Sequence, residues 1–225
     1  MEKKRIAALV GDFYHDPEPM IRALGAAVDA SLFVLEPYTD PERLPWDSLR
    51  AFAGLIIARE ARVAPESSKE AWSTDERERA IAGYVESGGA LAALHAGLAS
   101  YGLSGPYGRI VRGTFLFHPP EHPEYSLRPA GAEHPALAGF RGLTLMDEMY
   151  FVRIDSRRTV KLLEAASADY GTSAAAWAHA AGRGRVFCLT PGHDAGVLMN
   201  ADYIGLVRAG LRWALAGDSA RAAGV

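Results

Sequence analysis

Two histidines in this chain each stand just past a short apolar run. His95 follows Ala90 to Leu94, and His193 follows Arg185 to Leu189 across Thr190-Pro191-Gly192. Imidazole suits proton transfer near neutral pH and is the commonest metal ligand. One such histidine alone would more often just hydrogen-bond a turn; two at two strand ends favour chemistry. Asp147-Glu148-Met149-Tyr150 adds two carboxylates and a phenol. Read as a strand, alternation sends Glu148 and Tyr150 to one face and Asp147 to the other. Glu148 is then a base or ligand, Tyr150 a hydroxyl contact and Asp147 a backbone anchor. His118 lies between an aromatic run and two prolines that fix its turn, as a metal ligand or substrate contact. His15 and Arg59, on loops after the first and third apolar runs, complete the set as substrate contacts. The chemistry expected is acid/base catalysis by His95, His193 and Glu148, or a divalent metal such as zinc on His95, His118, His193 and Glu148. The metal signal rests on convergence in space, because no cysteine pair exists to mark a site by its spacing. His122 is expected to be exposed, His134 to start a turn and His179 to lie on the surface.

The elements that must position these groups follow from the apolar pattern. Arg5 to Val10, Ser31 to Leu35, Phe52 to Ala58 and the run before His95 read as buried strands. Between them, Pro17 and Pro19 open a helix that reaches about Val28. Ser73-Thr-Asp-Glu76 reads as a capping box, and the helix it opens ends at Gly88. Strand and helix in alternation imply a mainly parallel sheet with helices on both faces. The ligand crevice of such a sheet lies beyond the carboxyl ends of its strands, where His15, Arg59, Glu60 and His95 fall. His95 itself, followed by Ala96-Gly97, sits at a sharp strand-to-helix turn built like a nucleophile elbow. Tyr101 to Ile154 reads as an elaborated loop region over that edge. Thr159 to Ala165, Ala174 to His179 and Arg185 to Leu189 are later strands, the last two expected to pair through a turn at Gly182-Arg-Gly184. A final helix from about Ala201 to Ala216 is capped by Asn200 and ended by Gly217.

Composition narrows the function classes. Of 225 residues, 49% are apolar and 23% charged, enough for an ordinary core. The net charge of −3 leaves no basic footprint for nucleic acid. No apolar run reaches the length of a membrane span, and the first is too short for a signal peptide. The single cysteine, Cys188, lies in an apolar run and reads as an inert core thiol in a reducing compartment. A cytoplasmic protein is expected, with one domain over residues 1–217 and a tail over 218–225, free to form a homo-oligomer.

Taken together, Gly88-Gly89-Ala-Leu-Ala-Ala-Leu-His95-Ala, Phe117-His118-Pro119, Glu133-His134-Pro135-Ala-Leu and Asp147-Glu148-Met-Tyr150 resemble the ThuA-like (trehalose utilisation) family. Ala176-Trp177, Gly182-Arg-Gly184-Arg185-Val-Phe, Gly192-His193-Asp194 and Gly210-Leu-Arg-Trp213-Ala continue the same order. That family belongs to the class I glutamine amidotransferase-like superfamily. The resemblance implies a flavodoxin-like three-layer sandwich, and a small sugar, such as trehalose or a related disaccharide or keto-sugar, as substrate. It also implies that His95 replaces the elbow cysteine, so amidotransfer on glutamine is not expected, and that His193 and Asp194 occupy the place of the late histidine and acid. The alternative is a non-catalytic sugar- or metal-binding protein on the same fold.

Overall fold

The structure, a computed structural model, describes residues 2–131 and 133–216. The expected ends at Gly217 and in residues 218–225 lie outside the described residues. The chain runs β1 (Lys4–Val10), α1 (Pro17–Ala27), β2 (Phe33–Tyr38), β3 (Gly54–Ala58), α2 (Asp75–Glu86), β4 (Ala90–Leu94), α3 (Pro106–Val111) and β5 (Gly113–Phe117). It continues through β6 (Glu124–Pro129), β7 (Leu143–Met146), β8 (Phe151–Ile154), β9 (Val160–Ser167), β10 (Gly171–Ala181), β11 (Gly184–Leu189), α4 (Ala195–Leu198) and α5 (Ala201–Leu215). No helix among the described residues is long and apolar enough to cross a membrane.

β1, β3, β4 and β11 are buried runs of small and branched residues, as strands covered on both faces must be. Alternation divides their side chains between two cores. Ile6, Ala8 and Val10 meet α1 and α5 on one face; Ala7 and Leu9 meet α2 and α3 on the other. The main sheet has nine strands in the order β2-β1-β3-β4-β11-β10-β9-β6-β7. It is therefore a mixed α/β fold, and only its first half is parallel: every pairing from β2 to β11 is parallel and every pairing from β11 to β7 antiparallel.

Several expectations need correction. The turn at Gly182 (φ 60°) pairs β10 with β11 as expected, but β9, β6 and β7 then add on in the same antiparallel sense, so the sheet is not mainly parallel. Within Tyr101–Ile154, β6 and β7 thus extend the main sheet, while β5 and β8 form a separate two-stranded ribbon. β2 starts two residues later than expected and continues through Pro37, which an edge strand tolerates because no ladder bond is lost there. The cap of α2 is Thr74, whose hydroxyl accepts from the Arg77 amide; Ser73 instead donates to buried Glu78. His179 is buried, not superficial. β10 runs two residues past it, and its Nε2 donates to the Ile110 carbonyl of α3 at 2.8 Å.

Candidate metal centre

The carboxyl ends of the parallel strands hold the histidines. His95 directly follows β4 and takes a left-handed backbone (φ 44°), a conformation that costs a non-glycine residue energy and recurs at functional sites. The turn is possible because Gly97 follows: a Cβ there would collide with the Ile57 carbonyl oxygen of β3. His95 is 1% exposed, and its Nδ1 donates to the Thr190 carbonyl just past β11 at 2.8 Å. His15 comes from the β1–α1 loop. Asp12 organises that loop, accepting from the amides of Tyr14 and His15 and, at 2.6 Å, from His15 Nδ1; its second oxygen takes the Glu60 amide at 2.8 Å. His193 is set by Asp147. This fully buried carboxylate accepts from the amides of Gly192 (2.6 Å), His193 (3.1 Å) and Asp194 (2.8 Å), so it anchors backbone as expected. Residues 147–150 form a bend between β7 and β8, not a strand, but it still sends Asp147 one way and Glu148 and Tyr150 the other.

Four donor atoms meet at this point. His15 Nε2 lies 3.1 Å from His95 Nε2 and 3.1 Å from His193 Nδ1. Glu148 Oε2 lies 3.4 Å from His95 Nε2 and 3.3 Å from His193 Nδ1. The outer nitrogens of His15 and His95 are committed as donors, to Asp12 and to the Thr190 carbonyl. In the neutral rings both Nε2 atoms therefore carry lone pairs. Lone pairs facing one another beside a carboxylate repel unless a cation lies among them. Donors about 2.05 Å from a tetrahedral zinc are about 3.3 Å apart; four of the six edges here lie near that figure, and all four atoms lie within 4.8 Å of one another, close enough to converge on one ion. The bonds to Asp12 and to the Thr190 carbonyl are the outer contacts that usually fix the tautomer of metal-binding histidines.

Electrostatics agree with an anion built to meet positive charge. Burial opposes ionisation of Glu148, but His193 and His95, which in their protonated forms donate to it and carry positive charge, outweigh burial and hold the carboxyl far below the usual range. The hydrogen bond to Glu148 raises His193 above the ordinary imidazole value, against the effect of burial. Burial lifts Asp147, with the charge on His95 and three amides pulling the other way.

Two cavities flank the cluster. One, of about 180 Å³, is walled by Pro19, Met20, Ala58 and Leu198 beside His15, His95 and His193. The other, of about 370 Å³, opens between His118, Glu148, Tyr150 and Phe115 on one side and Glu60, Arg62 and Ser100 on the other. His118 turns Nε2 to within 3.6 Å of Glu148 Oε1, with its Nδ1 donating to the Pro119 carbonyl. Tyr150 stacks on His95 at 4.4 Å between ring centroids, and burial pushes its phenol well above the ordinary value. The structure thus brings His15, His95, His118, Glu148, Tyr150 and His193 together. Arg59 stands apart: its guanidinium donates to the carbonyls of Gly11 and Thr39, fastening the β1 and β2 loops to each other. The polar wall comes instead from its neighbour Glu60, 4% exposed, which accepts from Ser100 (2.6 Å) and Arg62 (2.8 Å).

His122 also belongs here, half-buried rather than exposed. Its Nδ1 lies 2.7 Å from Asp194 Oδ2 and its Nε2 3.9 Å from Glu148 Oε1. Asp194 therefore pairs with His122 and not with His193. The sequence signal was the spacing His118-Pro-Pro-Glu-His122, in which two prolines stiffen the chain between the rings. His134 does start a turn, accepting from the Ala136 amide.

The family model described as trehalose utilisation (ThuA) matches residues 6–214. Among curated proteins no sequence matches. A ThuA-like protein from Parabacteroides merdae ATCC 43184 superposes with a TM-score of 0.74 at 16% identity, over 95% of this chain and 90% of its own. A ThuA-like protein from Bacteroides uniformis ATCC 8492 gives 0.71 at 17% identity, over 94% and 91%. A β-galactosidase from Rahnella sp. R3 gives 0.58 at 15% identity, over 92% of this chain and 31% of its own. At these identities the likeness is one of fold.

Proposed function

Since the chain belongs to the ThuA (trehalose utilisation) family, we propose that it acts on a neutral sugar in carbohydrate catabolism, at a divalent cation such as zinc held by His15, His95, His193 and Glu148. The observation that carries this reading is the set of four donor atoms within 4.8 Å of one another, four of their separations being 3.1–3.4 Å. When bound, such an ion supplies Lewis acidity toward a carbonyl or hydroxyl oxygen, or toward water. The larger cavity seats the sugar. Phe115 and Tyr150 give it an aromatic wall, and Glu60, Arg62 and Ser100 offer hydrogen-bonding atoms to its hydroxyls. His118 Nε2 faces the same space and moves the proton that bond breaking or enolisation requires.

The order β2-β1-β3-β4 in the parallel half supports a flavodoxin-like sandwich with the site at the carboxyl edge. Glutamine chemistry has no part in this reading. An imidazole stands at the elbow, and the one thiol, Cys188, is wholly buried in β11, where burial raises it well above its ordinary value. That lone core thiol supports a cytoplasmic setting.

The test is turnover of trehalose, other neutral disaccharides and their keto derivatives by zinc-loaded protein. Turnover is expected to disappear on chelation, return with metal, and fall by about 10²-fold or more in His118→Ala. Turnover indifferent to chelation would leave acid/base chemistry without a metal. Saturable sugar binding with no product would make the protein a binding module.

A further inference from the structure

Away from the cluster of His15, His95 and His193, the other end of the β5/β8 ribbon gathers positive charge. Arg109 and Arg112 come from the end of α3, and Arg153 and Arg158 from β8 and the turn beyond it. With Asp155 they line a cavity of about 230 Å³. The chain as a whole is acidic, with a net charge of −3, yet this wall has four guanidinium groups and one carboxylate.

The arginines are not used up by one another's neighbours. Arg112 has a left-handed backbone (φ 57°), and its Nη1 donates to the Arg158 main-chain carbonyl at 2.7 Å. Its Nε is buried and meets no acceptor among the described residues. Arg158 reaches Asp155 only at 3.8 Å, and both side chains are well exposed, so that pair neutralises little. Arg109 gives one N–H to the Ser104 carbonyl. Burial and the charge of Arg158 both act against the charge on Arg112, and Asp155 offsets them only in part. Several forked donors around one small cavity, with an orphaned N–H among them, match a tetrahedral oxyanion.

We propose that this cavity binds a phosphate-type dianion, free or as the phosphomonoester of a small metabolite, with Arg112, Arg153 and Arg158 as its donors. The site is separate from the histidine cluster and does not depend on the metal reading.

Calorimetric titration of the full-length, zinc-loaded protein at constant ionic strength tests it, with inorganic phosphate, a hexose phosphate and sodium chloride as probes. One phosphate probe is expected to bind at one equivalent and raise the melting temperature, and chloride is expected to do neither. In the double variant Arg153→Gln/Arg158→Gln the affinity should drop by about tenfold or more. Both side chains are exposed, and the Arg158 carbonyl that holds Arg112 is kept, so the fold should survive. Should that variant not fold, Arg153→Gln alone should weaken binding severalfold. Tighter binding of inorganic phosphate identifies the free anion as the ligand; tighter binding of the hexose phosphate identifies the ester. Binding of neither probe, or unchanged binding by a folded variant, overturns the proposal.

Discussion

His95 beyond β4 and His179 towards the opposite end of β10 are both almost inaccessible, and each hydrogen-bonds a main-chain carbonyl at 2.8 Å. They differ at the second ring nitrogen. Nε2 of His95 meets His15 and Glu148; Nδ1 of His179 meets no partner among the described residues and lies in a region charged by Arg112 and Arg158. One histidine faces a carboxylate at the end where the strands open, and the other faces arginines under a packed helix. A buried histidine with a carbonyl partner is therefore no site by itself. The site arises where several such rings turn their remaining lone pairs to one point beside an anion.

The largest effect that would break this contrast is loss of the anchor beneath the cluster. Asp147→Ala leaves one buried and two half-buried amides without their acceptor, so a loss of about 3 kcal/mol is expected, together with the placement of His193. Denaturant unfolding measures the first and metal content the second. A stable variant with normal metal content would detach the cluster from its anchor.

The His179 end gives the next effect. Burial drives its pKa down from 6.5 to about 4, with Arg112 and Arg158 adding to the shift and the bond to Ile110 opposing it. The folded state thus binds the proton less readily than the unfolded chain. Stability from this source is full above pH 6.5 and is lost as pH falls towards about 4, by up to about 3 kcal/mol. His179→Gln, which can still donate to Ile110, should flatten the stability profile over that interval. Parallel profiles for the two proteins would remove His179 as the cause.

The smallest effect sharpens the boundary of the site. Arg59→Met should cost about 1 kcal/mol, for two lost loop hydrogen bonds, and leave metal content unchanged. Loss of metal in that variant would extend the site to the β2 loop.

How much of this was legible in the sequence depended on range. The buried strands, the elbow at His95 and the Asn200 cap follow from local pattern, because burial on both faces and turn chemistry leave local signatures. Asp147 against Glu148 was separable because adjacent side chains diverge in any extended segment. Partners far apart in the chain left no such mark. His122 meets Asp194 across 72 positions, and Arg59 finds its carbonyls 48 and 20 residues away. The antiparallel addition of β9, β6 and β7 beyond the expected β10–β11 hairpin was missed for the same reason. β6 and β7 are short and polar on one face, and only their pairing to β9 makes them part of the main sheet.

The central claim is that His15, His95, His193 and Glu148 hold one divalent cation. Metal content by elemental analysis, after zinc loading and exhaustive dialysis, measures it directly in the parent protein and in Glu148→Gln, which removes the anionic donor with little change of shape. The account predicts about one zinc per chain in the parent and a small fraction of that in the folded variant. A parent protein that retains no zinc, or a variant that retains as much as the parent, would contradict it.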